Sequence, residues 1–111
     1  MDWPNEETKN LILTSLLNNK ETYKDELVTE TILLAEKMNL YQRVNGRTSP
    51  APLAYVDSKD QMFILNKMDE VLEELKANNY LEDDTNDNLI LLEDGEKYIN
   101  SVLPQNYLNM L

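Results

Sequence analysis

The sequence contains no cysteine and no histidine. The first absence removes disulfides, thiolate nucleophiles, zinc fingers and iron–sulfur ligation. The second removes histidine-dependent catalytic triads, imidazole metal sites and a histidine pH switch. Glycine occurs only at Gly46 and Gly95, so there is no glycine-rich loop to cradle a phosphate. Arginine is confined to Arg43 and Arg47. No apolar run approaches the ~20 residues that cross a bilayer. The start, Met1-Asp2-Trp3-Pro4, is acidic and leads into no long apolar stretch, so a secretory signal is not visible. The expectation is a cytoplasmic chain with no membrane partner.

What is abundant is acid. The 111 residues carry a formal net charge of −11, and they fit one domain that buries roughly two thirds of its unfolded surface. The charge is unevenly placed. Residues 1–37 hold eight acids and four bases, residues 38–60 two acids and three bases, and residues 61–111 eleven acids and three bases. A nucleic-acid binder usually gathers Lys and Arg on one face, because counterion release from phosphates supplies much of its affinity. Here the most acidic segment is the one expected to carry the β-hairpin.

Hydrophobic periodicity gives the element order. Pro4, Glu6 and Glu7 suit a first helical turn, and Thr8, Leu11, Ile12, Ser15 and Leu16 recur at helical spacing, predicting a helix from Pro4 to Asn18. A second helix is predicted from Glu21 to Met38. Its inner face is Leu27, Val28, Thr31, Ile32, Leu34, Ala35 and Met38; Asp25, Glu26, Glu30, Glu36 and Lys37 form its solvated flank. A third is predicted from Asp60 to Asn78, with Ile64, Met68, Val71, Leu72 and Leu75 facing inward. Tyr80-Leu81-Glu82 and Leu89 to Leu92 read as two strands across a polar turn, and a last helix runs from Glu93 to Leu103 before Pro104. The tail keeps Tyr107, Leu108, Met110 and Leu111, apolar enough to dock on the body or on a second copy.

Residues 40–60 break the pattern. Asn45-Gly46 signals a tight turn, Pro50 and Pro52 forbid a regular helix, and both arginines lie there. Long non-helical connections in small domains are often binding loops. Tyr41, Arg43, Arg47 and Tyr55 are therefore candidate partner-binding residues, together with Met62 and Phe63, which fall partly off the inner stripe of the third helix.

Catalytic and metal chemistry find little footing. Glu73-Glu74 and Asp83-Asp84 are sequence neighbours with no reason to converge on one cleft. Glu82, Asp84, Asn86 and Glu93 fall at calcium-loop positions 1, 3, 5 and 12, but Asp87 stands where the loop needs Gly. No enzyme activity, cofactor or metal is expected.

Val71 to Leu81, followed by Leu91-Leu92-Glu93-Asp94-Gly95-Glu96-Lys97-Tyr98-Ile99, resembles the recognition helix, wing and closing helix of winged-helix regulators of the MarR and PadR kind. The resemblance spans about 40 residues. It departs at Asn79-Tyr80-Leu81, where Gly-Leu-Ile is usual, and at Leu92, where a capping Thr is usual. It implies a mainly α, winged-helix-like single domain with a small two-stranded antiparallel hairpin. It also implies DNA contacts through Ser58, Lys59, Gln61, Asn66 and Lys67 and through a wing at residues 83–88, where Asp83, Asp84 and Asp87 would repel phosphate. The expectation is a non-catalytic protein-binding or regulatory module. The alternatives are a small DNA-binding regulator that dimerises through its terminal helices, and an acidic mimic that occupies a nucleic-acid-binding protein.

Overall fold

A helix whose central turns are buried on every side has no face to offer water, so other elements must surround it. This is the position of α1 (Thr8–Asn18), in which Thr8 and every residue from Leu11 to Leu17 are buried. In the computed structural model, which describes residues 6–41, 58–84, 86 and 88–111, α1 packs against four other helices. These are α2 (Lys24–Lys37), α3 (Ser58–Ala77), α4 (Glu93–Val102) and α5 (Gln105–Leu108). Three short strands, β1 (Glu21–Tyr23), β2 (Leu81–Asp83) and β3 (Asn88–Leu91), complete the described chain. The architecture is mainly helical with a small antiparallel sheet.

Burying α1 also buries its hydroxyls, and each needs a partner. Thr14 Oγ1 donates to the Asn10 carbonyl at 2.7 Å and Ser15 Oγ to that of Leu11 at 2.9 Å. On α2, Thr31 does the same to Leu27 at 2.8 Å, and its hydroxyl lies 3.5 Å from that of Ser15 across the α1–α2 contact. Back-bonding of this kind keeps buried Ser and Thr satisfied inside a helix.

The sheet corrects the sequence reading. Three strands are present rather than two, in the order β1-β3-β2. Glu21-Thr22-Tyr23, read as the start of the second helix, pairs antiparallel with β3, Thr22 opposite Leu89. The helix therefore starts at Lys24, three residues later than expected. Its first turn carries Asp25 and Glu26, which favour the positive end of the helix dipole. In β3 the alternation expected of a half-covered strand is present, with Leu89 and Leu91 buried.

Two asparagines stop two helices in the same way. Asn39 and Asn79 have φ of 60° and 59°, the left-handed conformation that Asn tolerates better than most side chains. Leu40 N–H donates to Ala35 O at 2.8 Å and Asn39 N–H to Glu36 O at 3.0 Å; Tyr80 N–H and Asn79 N–H repeat the pattern onto Leu75 and Lys76. These are Schellman caps. The first turns the chain so that Tyr41 enters the core, where it is 3% exposed. The proline-containing connection lies outside the described residues from 42 to 57.

The hairpin meets α4 at a close backbone approach. Leu92 N–H donates to the Tyr80 carbonyl at 2.9 Å. A Cβ on Gly95 would stand 2.2 Å from that carbonyl oxygen and 2.8 Å from Tyr80 Cβ. Alongside, the Tyr80 and Tyr98 rings stack with centroids 4.8 Å apart. Leu92 supplies no side-chain cap to α4, and Glu93, Asp94 and Glu96 in the first turn complement the dipole instead.

The C-terminal segment docks on the body. After Pro104, α5 places Tyr107 in the core at 2% exposure, and its hydroxyl donates to Glu7 Oε2. Burial, reinforced by the Glu7 carboxylate, raises the phenol pKa well above its ordinary value.

Two predictions follow from this packing. Gly95→Ala gains about 1 kcal/mol of helix propensity but forces a methyl into the Tyr80 carbonyl, so a net loss of about 1–3 kcal/mol is expected in urea unfolding. A more stable variant would show that α4 can slide off the hairpin. Tyr107→Phe is expected to cost about 1–3 kcal/mol, the worth of a buried hydrogen bond to a charged group. The folded phenol keeps its proton where the unfolded one has lost it, so this stability is complete below about pH 10 and falls as pH rises further. The Phe variant should lose stability less steeply in that alkaline range.

Candidate functional site

The outer side of α3 and the sheet form one continuous face. Lys24 at the start of α2 and Lys76 near the end of α3 stand on it, each held by a carboxylate, and Lys59 in the first turn of α3 is exposed. Lys24 pairs with Asp69 of α3. On the other flank of α3, half a helical rotation from Lys76, Lys67 lies 3.6 Å from Glu70. Lys76 lies 2.7 Å from Asp83 of β2 and 3.6 Å from Glu73. The hydrogen bond to Asp83 raises the Lys76 pKa above its ordinary value despite partial burial. The same bond, with the ammonium charge, lowers that of Asp83. Exposed pairs of this kind add little stability, so their main consequence is local neutralisation.

Between these pairs runs a groove of about 570 Å³, with Leu72 and Leu89 at its base and Tyr23, 54% exposed, on its margin. At the hairpin tip, Asp84 Oδ1 accepts from Asn86 N–H at 2.8 Å and Asn88 N–H at 3.1 Å, an Asx turn. Glu82, Asp83 and Asp84 are all exposed there. Among the described residues, no group of three or more potential metal-ligating side chains comes together. Among the same residues, no helix is long and apolar enough to cross a membrane.

The residues anticipated as a partner surface separate. Tyr41 is a core residue rather than part of an exposed loop. Arg43, Arg47 and Tyr55 lie outside the described residues. Met62 is 65% exposed, whereas Phe63 beside it is half-buried and packs on the core. Of the α3 positions that the family resemblance assigns to DNA, Lys59 and Asn66 are exposed and Gln61 and Lys67 half-buried. At the termini, Val102 and Leu111 are 46% and 53% exposed.

Sequence patterning missed one feature altogether. Glu30, placed on the solvated flank of the second helix, is drawn inward: Oε1 accepts from Asn19 Nδ2, and Oε2 is buried with no donor among the described residues. Desolvation, then repulsion from Glu26, raises its pKa, and the Asn19 hydrogen bond only partly offsets them. The sole local signal was the stop at Asn18-Asn19, which carries an amide to this carboxylate.

A carboxyl whose folded pKa is raised stabilises the fold at low pH and opposes it once ionised. Glu30→Gln is therefore expected to raise the melting temperature at pH 7 and leave it nearly unchanged at pH 3, where both states are protonated. A lower melting temperature at pH 7 would mean that the ionised carboxylate is stabilising.

Comparisons with protein-family models, with curated proteins and with solved structures find no match to this chain.

Proposed function

We propose that the chain is a non-catalytic protein-binding or regulatory module on a winged-helix plan, its α3-and-sheet face serving protein rather than nucleic acid. Support for the plan is the succession of α3, the β2–β3 hairpin and α4, the order that the sequence resemblance requires for recognition helix, wing and closing helix. The observation that carries the functional reading is the occupancy of the cations. Lys24 and Lys76 are engaged by Asp69 and Asp83, and the tip beyond them exposes the carboxylates of Glu82, Asp83 and Asp84. A phosphate approaching this face must displace a carboxylate from each lysine it meets. The apolar side chain that this reading places at the interface is Met62, on the same helix and 65% exposed.

Duplex DNA of random sequence, titrated at low and moderate salt and followed by fluorescence anisotropy, is expected to show no saturable binding. Saturable binding that weakens with salt would overturn the assignment in favour of a DNA-binding regulator. On the protein side, a partner recovered by the tagged chain is expected to be lost with Met62→Asp while the melting temperature stays within about 2 °C, as for an exposed substitution. Retention of that partner would remove Met62 from the interface.

A further inference from the structure

One stripe of α2 points away from the core. At 100° per residue, Glu26, Glu30, Leu33 and Lys37 fall within about 60° of arc along three turns of the helix. Glu26 and Lys37 are exposed, and Leu33, an apolar side chain between them, is 44% exposed. A pocket of about 230 Å³ opens beside this stripe, and the α2 residues that line it are Glu30, Leu33, Leu34 and Lys37. Residues spaced i, i+3, i+4 and i+7 make the four-cornered hole into which a side chain of a facing helix inserts. The stripe is also ordered by charge. Its N-terminal end holds Glu26 and Glu30, close enough that Glu26 repels the Glu30 carboxylate. Its C-terminal end is Lys37, which no ion pair among the described residues includes.

We infer that a second copy of this chain covers the stripe, the two α2 helices packing antiparallel about a two-fold axis beside Leu33. A two-fold contact must be self-complementary, and this stripe matches itself only when reversed. Turned end for end, Lys37 of each copy comes over the Glu26–Glu30 turn of the other, and Leu33 of each enters the hole beside Leu34 of the other. A parallel pair would set lysine on lysine and glutamates on glutamates. The carboxylate within reach of the incoming lysine is that of Glu26, which is exposed, whereas Glu30 already accepts from Asn19. One helix face is small beside the ~800 Å² per partner of a stable complex, so the dimer dissociates in the range of about 10 μM to 1 mM. The inference does not involve the α3-and-sheet face and is independent of the function proposed for it.

The test is sedimentation equilibrium of the full chain at low salt, over roughly 10 μM to 1 mM, where a monomer–dimer equilibrium is expected. Leu33→Asp is expected to weaken the dimer by about tenfold or more, as for an interface anchor. Lys37→Glu is expected to weaken it by about threefold or more, and adding Glu26→Lys to that variant should restore most of the loss. Each substitution is at an exposed position and is checked for a cooperative melt. Restoration by the charge exchange is a readout that damage to the fold would not give. A chain that stays monomeric to the highest concentration would overturn the inference, a result that needs no variant. So would a dimer that tolerates Leu33→Asp, or one that Lys37→Glu weakens and the exchange fails to restore.

Discussion

The fold rests on the burial of α1. Its run of seven consecutive buried residues, Leu11 to Leu17, leaves no solvated face, so the helix exists only inside a shell of others. At roughly 1.5–3 kcal/mol for each fully buried large apolar side chain, Leu11, Ile12, Leu13 and Leu16 form one of the largest local contributions to stability. That demand explains the C-terminal segment. A four-residue helix after a proline is too short to be stable alone, yet α5 holds its place because Tyr107 fills space beside α1 and its hydroxyl satisfies Glu7.

The second constraint is the junction of α3, the hairpin and α4. Asn79 turns the chain through a left-handed residue, and Tyr80 follows with its carbonyl pointed at Leu92 N–H. Gly95 gives that carbonyl room. The three devices lie within one small volume and fix the angle at which β2 and β3 leave the helical body. Lys76 then bridges to Asp83 across the corner. The acidic face is thus set by backbone geometry first, and its ion pairs follow from where that geometry places the side chains.

Much of this was legible from periodicity and turn chemistry. Ile64, Met68, Val71, Leu72 and Leu75 are buried as the helical spacing of α3 requires, and the hairpin strands fall within a residue or two of the polar turn that separates them. β1 was not legible. Glu21-Thr22-Tyr23 is too short to show a period, and it takes its conformation from β3, about 67 residues away along the chain. By its neighbours Arg43 and Asn45-Gly46, Tyr41 reads as part of the loop, whereas the Schellman turn at Asn39 carries it inward. The site was less legible than the fold for the same reason. Lys67 with Glu70 and Lys76 with Glu73 can be anticipated from helical spacing, but Lys24 with Asp69 spans 45 residues, and Glu30 owes its burial to Asn19 and its surroundings.

For the function proposed above, these pairs weigh more than the net charge does. A strongly acidic protein can still bind a polyanion if a few cations stand uncompensated along one ridge, since affinity comes from lysines and arginines that release phosphate counterions. A lysine already held by a carboxylate gives no such return: it must first surrender its partner, and the released carboxylate then faces the phosphate. On the α3-and-sheet face, Lys24 and Lys76 are both in that position. Salt does not rescue the interaction, because screening weakens the attraction to phosphate along with the internal pairs. On the proposed reading, the pairing pattern works against nucleic acid on this face through local geometry, and not through net charge alone.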